Sequence, residues 1–370
     1  MWFTLFLFLM SLLVVFPAPV DILWYVQIAV TEWGYVVAII ALLLLLFSSW
    51  DSWRGRIKGI LNIITIILSI LPLVQALPTA ESVQSDSVAI WGNSSEEASV
   101  LDYPSLMKLF PFSGTYETFL YSNVDNTELT LKFYQSIERT KAAPCIVVIH
   151  GGMWDGGSSE DLSPLNGYLT DHGYAVAAID YRLAPKWRYP APLEDVRTAI
   201  AFLQGHADSL GIDPHDFVLL GRSGGGQIAL MAAYTMNESA IRGVISFYAP
   251  ADMVYAGMHP ENSLSTDSER EIAQYLGGSY AASPQLYRSA SPLENISPLC
   301  VPTLIIHGER DEIVPYEHSI RLDRKLSEAH VKHQLVSLPW ATHECDLNFY
   351  GLSGQISAYA VERFLASVTK

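Results

Sequence analysis

The sequence predicts an α/β fold, a mostly parallel sheet with helices on both faces, over residues 101–370 and behind an apolar N-terminal segment. Three observations predict it. From about Tyr116 onward, short β-rich runs alternate with helical patterns, the order that builds parallel sheets. Several of these runs are apolar throughout, as strands buried on both faces are. Half of the chain's residues are hydrophobic, and the excess over an ordinary domain gathers before Pro78 and not in the alternating part.

Three apolar runs come first: Trp2 to Phe16, a second ending at Phe47, and Ile60 to Leu77. Crossing a ~30 Å hydrocarbon core takes about 20 apolar residues, and the third run meets that length. The second meets it either from Ile22, with Glu32 inside, or from Trp33 to Trp50, with tryptophans at both edges. A carboxylate is costly in lipid and Trp favours the interface, so the second framing is preferred. Asp21 to Glu32 then lies along the membrane surface. The first run lacks the basic leader and the cleavage site of a signal peptide and is read as a further span. Arg54, Arg56 and Lys58 crowd the loop between the second and third runs. Positive loops stay cytoplasmic, so everything after Pro78 is expected on the periplasmic or external side. Val74-Gln75-Ala76 loosely resembles a signal-peptidase site, which would release the domain. Residues 78–100, rich in Ser, Glu and Ala, read as a tether. The expected organisation is a membrane anchor over 1–77, a linker over 78–100 and one domain over 101–370.

Charge follows the same division. Between Met1 and Leu77 the charged residues are Asp21, Glu32, Asp51, Arg54, Arg56 and Lys58, which cancel, so the formal charge of −16 belongs to the rest. Such a surface repels phosphate backbones and excludes nucleic acid as a natural partner. The cysteines, Cys145, Cys300 and Cys345, form neither a disulfide framework nor a metal pattern and read as free thiols.

The strands expected in order are Glu117-Tyr121, Leu129-Tyr134, Cys145-Ile149, Ala175-Ile179, Phe217-Leu220, Gly243-Phe247, Thr303-Ile306 and Gln334-Leu338. Helical stretches fall at Leu193-Gln204, Gly226-Tyr234, Glu317-Ser327 and Gln355-Ser367. Residues 250–302 break the rhythm: no strand pattern, aromatic and polar residues, and helical fragments around Ser268-Leu276. An insertion of that length late in the sheet is long enough to cap a site.

Gly221-Arg222-Ser223-Gly224-Gly225 fits G-x-S-x-G. At average Gly and Ser usage, roughly one chain in eight of this length would match by accident, so context carries the weight. The pentapeptide directly follows one apolar strand and directly precedes a helical run. A serine on so sharp a strand-to-helix turn takes strained backbone angles and points its hydroxyl clear of the sheet. His150-Gly151-Gly152-Met153-Trp154 follows another strand. Acyl transfer generates an oxyanion that needs preorganised N–H donors, and Gly151, Gly152 and Gly224 are the expected donors. His150, which precedes the loop, reads as structural.

A serine nucleophile needs a base, usually histidine, oriented by a carboxylate. Asp311 lies just past the strand Thr303-Ile306, and His343 just past the last strand. Ser223, Asp311 and His343 occur in the chain order such a sheet uses. Glu309 and Glu312 compete with Asp311 less well, flanking the expected turn position. His343-Glu344-Cys345-Asp346 does not have convincing metal-ligand spacing.

Together, His150-Gly151-Gly152-Met153-Trp154, Asp180-Tyr181-Arg182-Leu183-Ala184-Pro185, Tyr189-Pro190-Ala191-Pro192-Leu193-Glu194-Asp195-Val196 and Gly221-Arg222-Ser223-Gly224-Gly225-Gly226 resemble the esterase branch of the α/β-hydrolases. That branch includes hormone-sensitive-lipase-like carboxylesterases and kynurenine-formamidase-like enzymes. The resemblance runs from about Leu101 to the C-terminus and implies an eight-stranded sheet, a Ser-His-Asp triad, an oxyanion loop and no cofactor. Met153-Trp154 stands where many lipase-like members carry a third glycine, which leans towards the formamidase-like side. Asp180, Tyr181, Arg182, Glu194 and Asp195 are read as braces of the fold. The N-terminal runs lie outside the resemblance. The expectation is a membrane-tethered carboxylesterase acting on a small-molecule or lipid-like ester. The rivals are an amide- or peptide-cleaving enzyme of the same fold and a non-catalytic binding module. Trp154, Trp187 and the insertion's aromatics suggest an apolar pocket.

Overall fold

In a computed structural model, residues 1–92, 99–108, 114–138, 141–260 and 267–369 are described. Four helices lead the chain: α1 (Trp2–Leu12), α2 (Asp21–Glu32), α3 (Gly34–Leu46) and α4 (Trp53–Trp91). The α/β part follows as β1 (Glu117–Val124), β2 (Thr127–Tyr134), β3 (Ala143–Ile149), α5 (Pro164–Asp171), β4 (Ala175–Ile179), α6 (Ala191–Gly205), α7 (Ala207–Leu210), β5 (Ile212–Arg222) and α8 (Gly224–Thr235). It continues through β6 (Ile241–Phe247), α9 (Met253–Met258), α10 (Ser268–Leu276), α11 (Pro284–Ser289), β7 (Thr303–Gly308), α12 (Glu317–Glu328), β8 (His333–Leu338) and α13 (Leu352–Val368). Each strand expected from the sequence is present, most of them lengthened by a few residues.

The eight strands form one sheet in the order β1-β2-β4-β3-β5-β6-β7-β8. β1 and β2 pair antiparallel, as do β2 and β4, and all later pairs are parallel. Cys145, Val147 and Ile149 of β3 enter one apolar core. Ile146 and Val148 enter the other. This is why β3 reads as one unbroken apolar run: burial on both faces removes the polar alternation. Three of the expected braces are ion-paired, Arg182 bonding Asp195 at 2.8 Å and Glu194 at 3.0 Å.

The segment expected to be a tether is different. α4 continues without interruption to Trp91, through Pro72 and Pro78, and only 93–98 lie outside the described residues. Ala80, Val83 and Trp91 belong to the core beneath the sheet. Trp91 packs edge-on to Phe364 at 5.0 Å, and its indole donates to Gln334 at 2.6 Å. Positions 80, 83, 87 and 91 fall on one helix face. A composition reading misses them because the Ser and Glu residues between them face outward.

The helix α4 is long and apolar enough to cross a membrane, and α2 with α3 would pass the same test only as one span bent by 79°. α1, with 11 residues, is shorter than the about 20 that a crossing takes. The insertion over 250–302 holds α9, α10 and α11 and, among the described residues, no strand; residues 261–266 lie outside the described set.

Candidate active site

Register assembles the site. Ile149 of β3 pairs with Gly221 of β5, which sets the loop after β3 beside the turn after β5. On the other flank, Arg222 pairs with Phe247 and Phe247 with Ile306 of β7. Gly308 at the end of β7 pairs with Leu338 at the end of β8. Four loops therefore emerge together at the carboxyl edge of the sheet, where α/β folds place their sites.

Ser223 occupies the turn between β5 and α8 with φ 51° and ψ −124°, a strained left-handed conformation for a residue with a Cβ. The flanking glycines permit it. A Cβ on Gly221 would lie 2.2 Å from the Gly225 oxygen, and one on Gly225 would lie 2.1 Å from the His150 oxygen. The motif is thus a packing requirement between the turn and the loop after β3.

His343 bridges the other two candidates. Its Nε2 lies 3.0 Å from Ser223 Oγ and its Nδ1 lies 2.6 Å from Asp311 Oδ2. With Nδ1 donating to the carboxylate, Nε2 is left to accept from the hydroxyl. All three residues are buried. The amides of Ile313 and Val314 donate to Asp311 Oδ1 at 2.9 and 2.8 Å. His307 Nε2 faces Asp311 Oδ2 and the Val314 carbonyl, each at 3.0 Å. Both are acceptors, so that nitrogen carries the hydrogen, and Nδ1 accepts from Ser319 Oγ at 2.6 Å.

These contacts set the charges. Burial alone would raise the Asp311 carboxyl, but the adjacent His343 and the hydrogen bonds from His307 and His343 outweigh it and hold the acid well below its usual range. Burial likewise works to lower His343, and the Asp311 charge and hydrogen bond, with Glu344 and Asp346 nearby, hold it above its usual value. The arrangement is an imidazole able to take a proton from a serine hydroxyl while a carboxylate steadies the resulting charge.

Gly151 lies against Ser223, since a Cβ there would come 3.4 Å from that of the serine. α8 begins at Gly224, so its first amides have no partner within the helix and point towards the turn. Gly152 has φ 103°, open only to glycine without strain. Its carbonyl accepts from Asp155 and Gly156 at 3.1 and 3.0 Å, which closes the loop on itself.

Trp154, which follows, is a strut as well as a wall. Its ring stacks on Tyr275 of α10 at 4.5 Å and 2°, and its Nε1 donates to the Gly224 carbonyl at 3.1 Å. The insertion is thereby fastened to the serine turn. Met153, Trp154, Ala256, Ile272, Ile313 and Val314 are among the residues lining a narrow cavity of about 30 Å³ against Ser223. His318 lines it too, and burial lowers its pKa to about 3, so it stays neutral. Trp187, expected at the pocket, instead carries Arg182 and Lys186 over its ring. His150 stacks on Tyr181 at 4.3 Å and is a structural support. The cysteines are free, Cys145 and Cys345 being buried.

Four further residues hold the site, unmarked by the sequence reading. His307 orients Asp311. Arg222 pairs with Asp346 at 2.7 Å, and Tyr248 donates to the same carboxylate at 2.6 Å while its ring meets His343 edge-on at 4.6 Å. Only His307 had a local signal, as the penultimate residue of β7.

A family model described as BD-FAE matches residues 131–326. Esterase LipC of Mycobacterium tuberculosis is 30% identical over 250 residues, which cover 62% of this chain and 59% of LipC. Ethyl acetate hydrolase of Pseudomonas putida is 28% identical over 55% of this chain and 66% of its own. The chain thus spans less than two thirds of the length of these curated relatives. Among solved structures, Thermogutta terrifontis esterase 2 with propionate bound superposes with a TM-score of 0.54 at 26% identity, over 72% of this chain and 95% of its own.

Proposed function

The chain belongs to the BD-FAE family, in the esterase branch of the α/β-hydrolases, and from that premise we propose that it is a serine carboxylic-ester hydrolase. The observation that carries the reading is the single imidazole within hydrogen-bond reach of both Ser223 and Asp311. In this reading Ser223 Oγ attacks the acyl carbon and passes its proton to His343 Nε2. Asp311 stabilises the imidazolium, and the amides of Gly151, Gly152 and Gly224 receive the oxyanion. His343 then protonates the leaving alcohol. Water, deprotonated by the same imidazole, hydrolyses the acyl-enzyme and restores the serine.

The reading extends to a membrane tether over residues 1–77, with the hydrolase outside. What supports it is the length and apolarity of α4, with Arg54, Arg56 and Lys58 at the end away from the α/β part. The 79° bend between α2 and α3 suits a helix lying in the membrane surface beside one entering it.

The test is labelling of the purified full chain by a fluorophosphonate probe, wild type against Ser223→Ala, with hydrolysis of p-nitrophenyl esters. Labelling that disappears in the variant, with esters cleaved by the wild type, is the expected result. A folded wild type that neither labels nor cleaves esters would leave a binding module as the better description.

A further inference from the structure

The N-terminal helices hold the α/β part by the loops that carry Asp311 and His343. The Val15 carbonyl accepts from Arg310 at 3.2 Å. The Ala18 amide donates to Glu312 at 3.2 Å, and Gln27 approaches the same carboxylate at 3.5 Å. Glu32, at the end of α2, accepts from the Trp340 indole at 3.3 Å and the Ser353 amide at 3.1 Å, and from the Ser353 hydroxyl. Arg310 and Glu312 flank Asp311, and Trp340 stands three residues before His343. Ile313, next to Glu312, lines the cavity at Ser223 and is half-buried. One wall of the cavity, Ile313, is therefore one residue from Glu312, which the turn joining α1 to α2 holds.

That turn is apolar and outward-facing: Val15 is 39% and Phe16 is 59% exposed. On the topology proposed above it lies at the membrane surface, on the same side as the hydrolase. Resting on that reading, we infer that the site takes its ester directly from the bilayer, as a short acyl group borne on an uncharged lipid alcohol. The short acyl group follows from the cavity of about 30 Å³, only a little above the ~10–15 Å³ needed to hold a water. The lipid alcohol follows from the membrane turn held beside the Ile313 wall of the cavity. An anionic head is disfavoured by the acidic surface, with its formal charge of −16, and the neutral case is the one proposed. Hydrolysis consumes one water, leaves the alcohol in the bilayer and releases a small carboxylic acid.

The test uses the full chain in dioleoylphosphatidylcholine vesicles carrying 1,2-dioleoyl-3-acetylglycerol at graded mole fractions, with triacetin as the water-soluble acetate. Acetate release at least tenfold faster from the vesicle-held ester at equal bulk concentration, rising with its mole fraction in the bilayer, is the expected result. A second measurement places a fluorophore at Glu309→Cys and, on the far end of the sheet, at Ser209→Cys, with nitroxide lipids as quenchers. Quenching at position 309 and not at 209 is expected. A chain that labels with fluorophosphonate and cleaves triacetin as fast as the lipid ester, or shows no difference in quenching, overturns the inference and leaves the esterase reading standing. A chain that neither labels nor cleaves any ester removes both.

Discussion

Arg222 and Asp346 form a buried ion pair, 2.7 Å apart, that ties the serine turn to the loop carrying His343. One stands next to Ser223 and the other three residues after His343, so the pair sets the spacing of those two side chains. Tyr248 shares the carboxylate. Removing one partner leaves the other charge buried and unmatched, at a cost of about 3–5 kcal/mol. Asp346→Ala should therefore lower the denaturation midpoint of the chain sharply and slow fluorophosphonate labelling. Unchanged melting and labelling would show that the pair does not hold the two loops together.

The pH profile should report on one group. With His343 as the proposed base, activity needs its neutral form, and its pKa is held above the usual ~6.5 by Asp311 despite burial. His318, at about 3, and Asp311, lower than usual, both keep one protonation state across the neutral range. The rate should fall as pH drops through a midpoint above 6.5. Asp311→Asn removes the charge that raises the imidazole, so the acid limb should move down while kcat falls about 10³–10⁴-fold. A midpoint unmoved by the substitution would break the link between the two residues.

Glycine clearances predict a contrast. Gly225→Ala drives a Cβ to 2.1 Å from the His150 oxygen and 2.4 Å from the Ile149 oxygen. Both are backbone atoms that cannot step aside. The variant should fail to fold, or fold without labelling. Gly205→Ala, at the end of α6, meets nothing within 4 Å and should be neutral or stabilising by up to about 1 kcal/mol. Thermal melts of the two variants check both outcomes.

Cavity size predicts selectivity. With about 30 Å³ beside Ser223, p-nitrophenyl acetate and butyrate should be turned over well ahead of the octanoate. Ile272→Ala should shift the optimum to longer chains. A flat profile across chain lengths would place the acyl group elsewhere.

Trp91 distinguishes a helix that belongs to the core from a tether. It is 7% exposed and bonded to Gln334. Trp91→Ala should destabilise the full chain by about 3–5 kcal/mol in urea titration. A tether residue would change nothing.

Much of the site was legible because its chemistry is local. The turn glycines, the strand before Ser223 and the short reach from β7 to Asp311 and from β8 to His343 are each written in a few consecutive residues. His307 was partly legible, as a polar residue at the end of an apolar strand. The face of α4 at 80, 83, 87 and 91 was present as a periodicity but masked by a Ser- and Glu-rich composition.

The sequence by itself determined the strands, their sites of chemistry and the identity of the three residues that meet. Hydrophobic runs and glycine turns act through neighbours in the chain, so their pattern survives in one dimension. The tertiary structure alone decided that Glu32 bonds Trp340, 308 residues away, that Trp91 bonds Gln334, 243 away, and that Arg222 pairs with Asp346, 124 away. A buried polar group is stabilised only by a partner with matching geometry. No local spacing names that partner, so the seating of the N-terminal helices on the loops that carry Asp311 and His343 is a property of the folded chain.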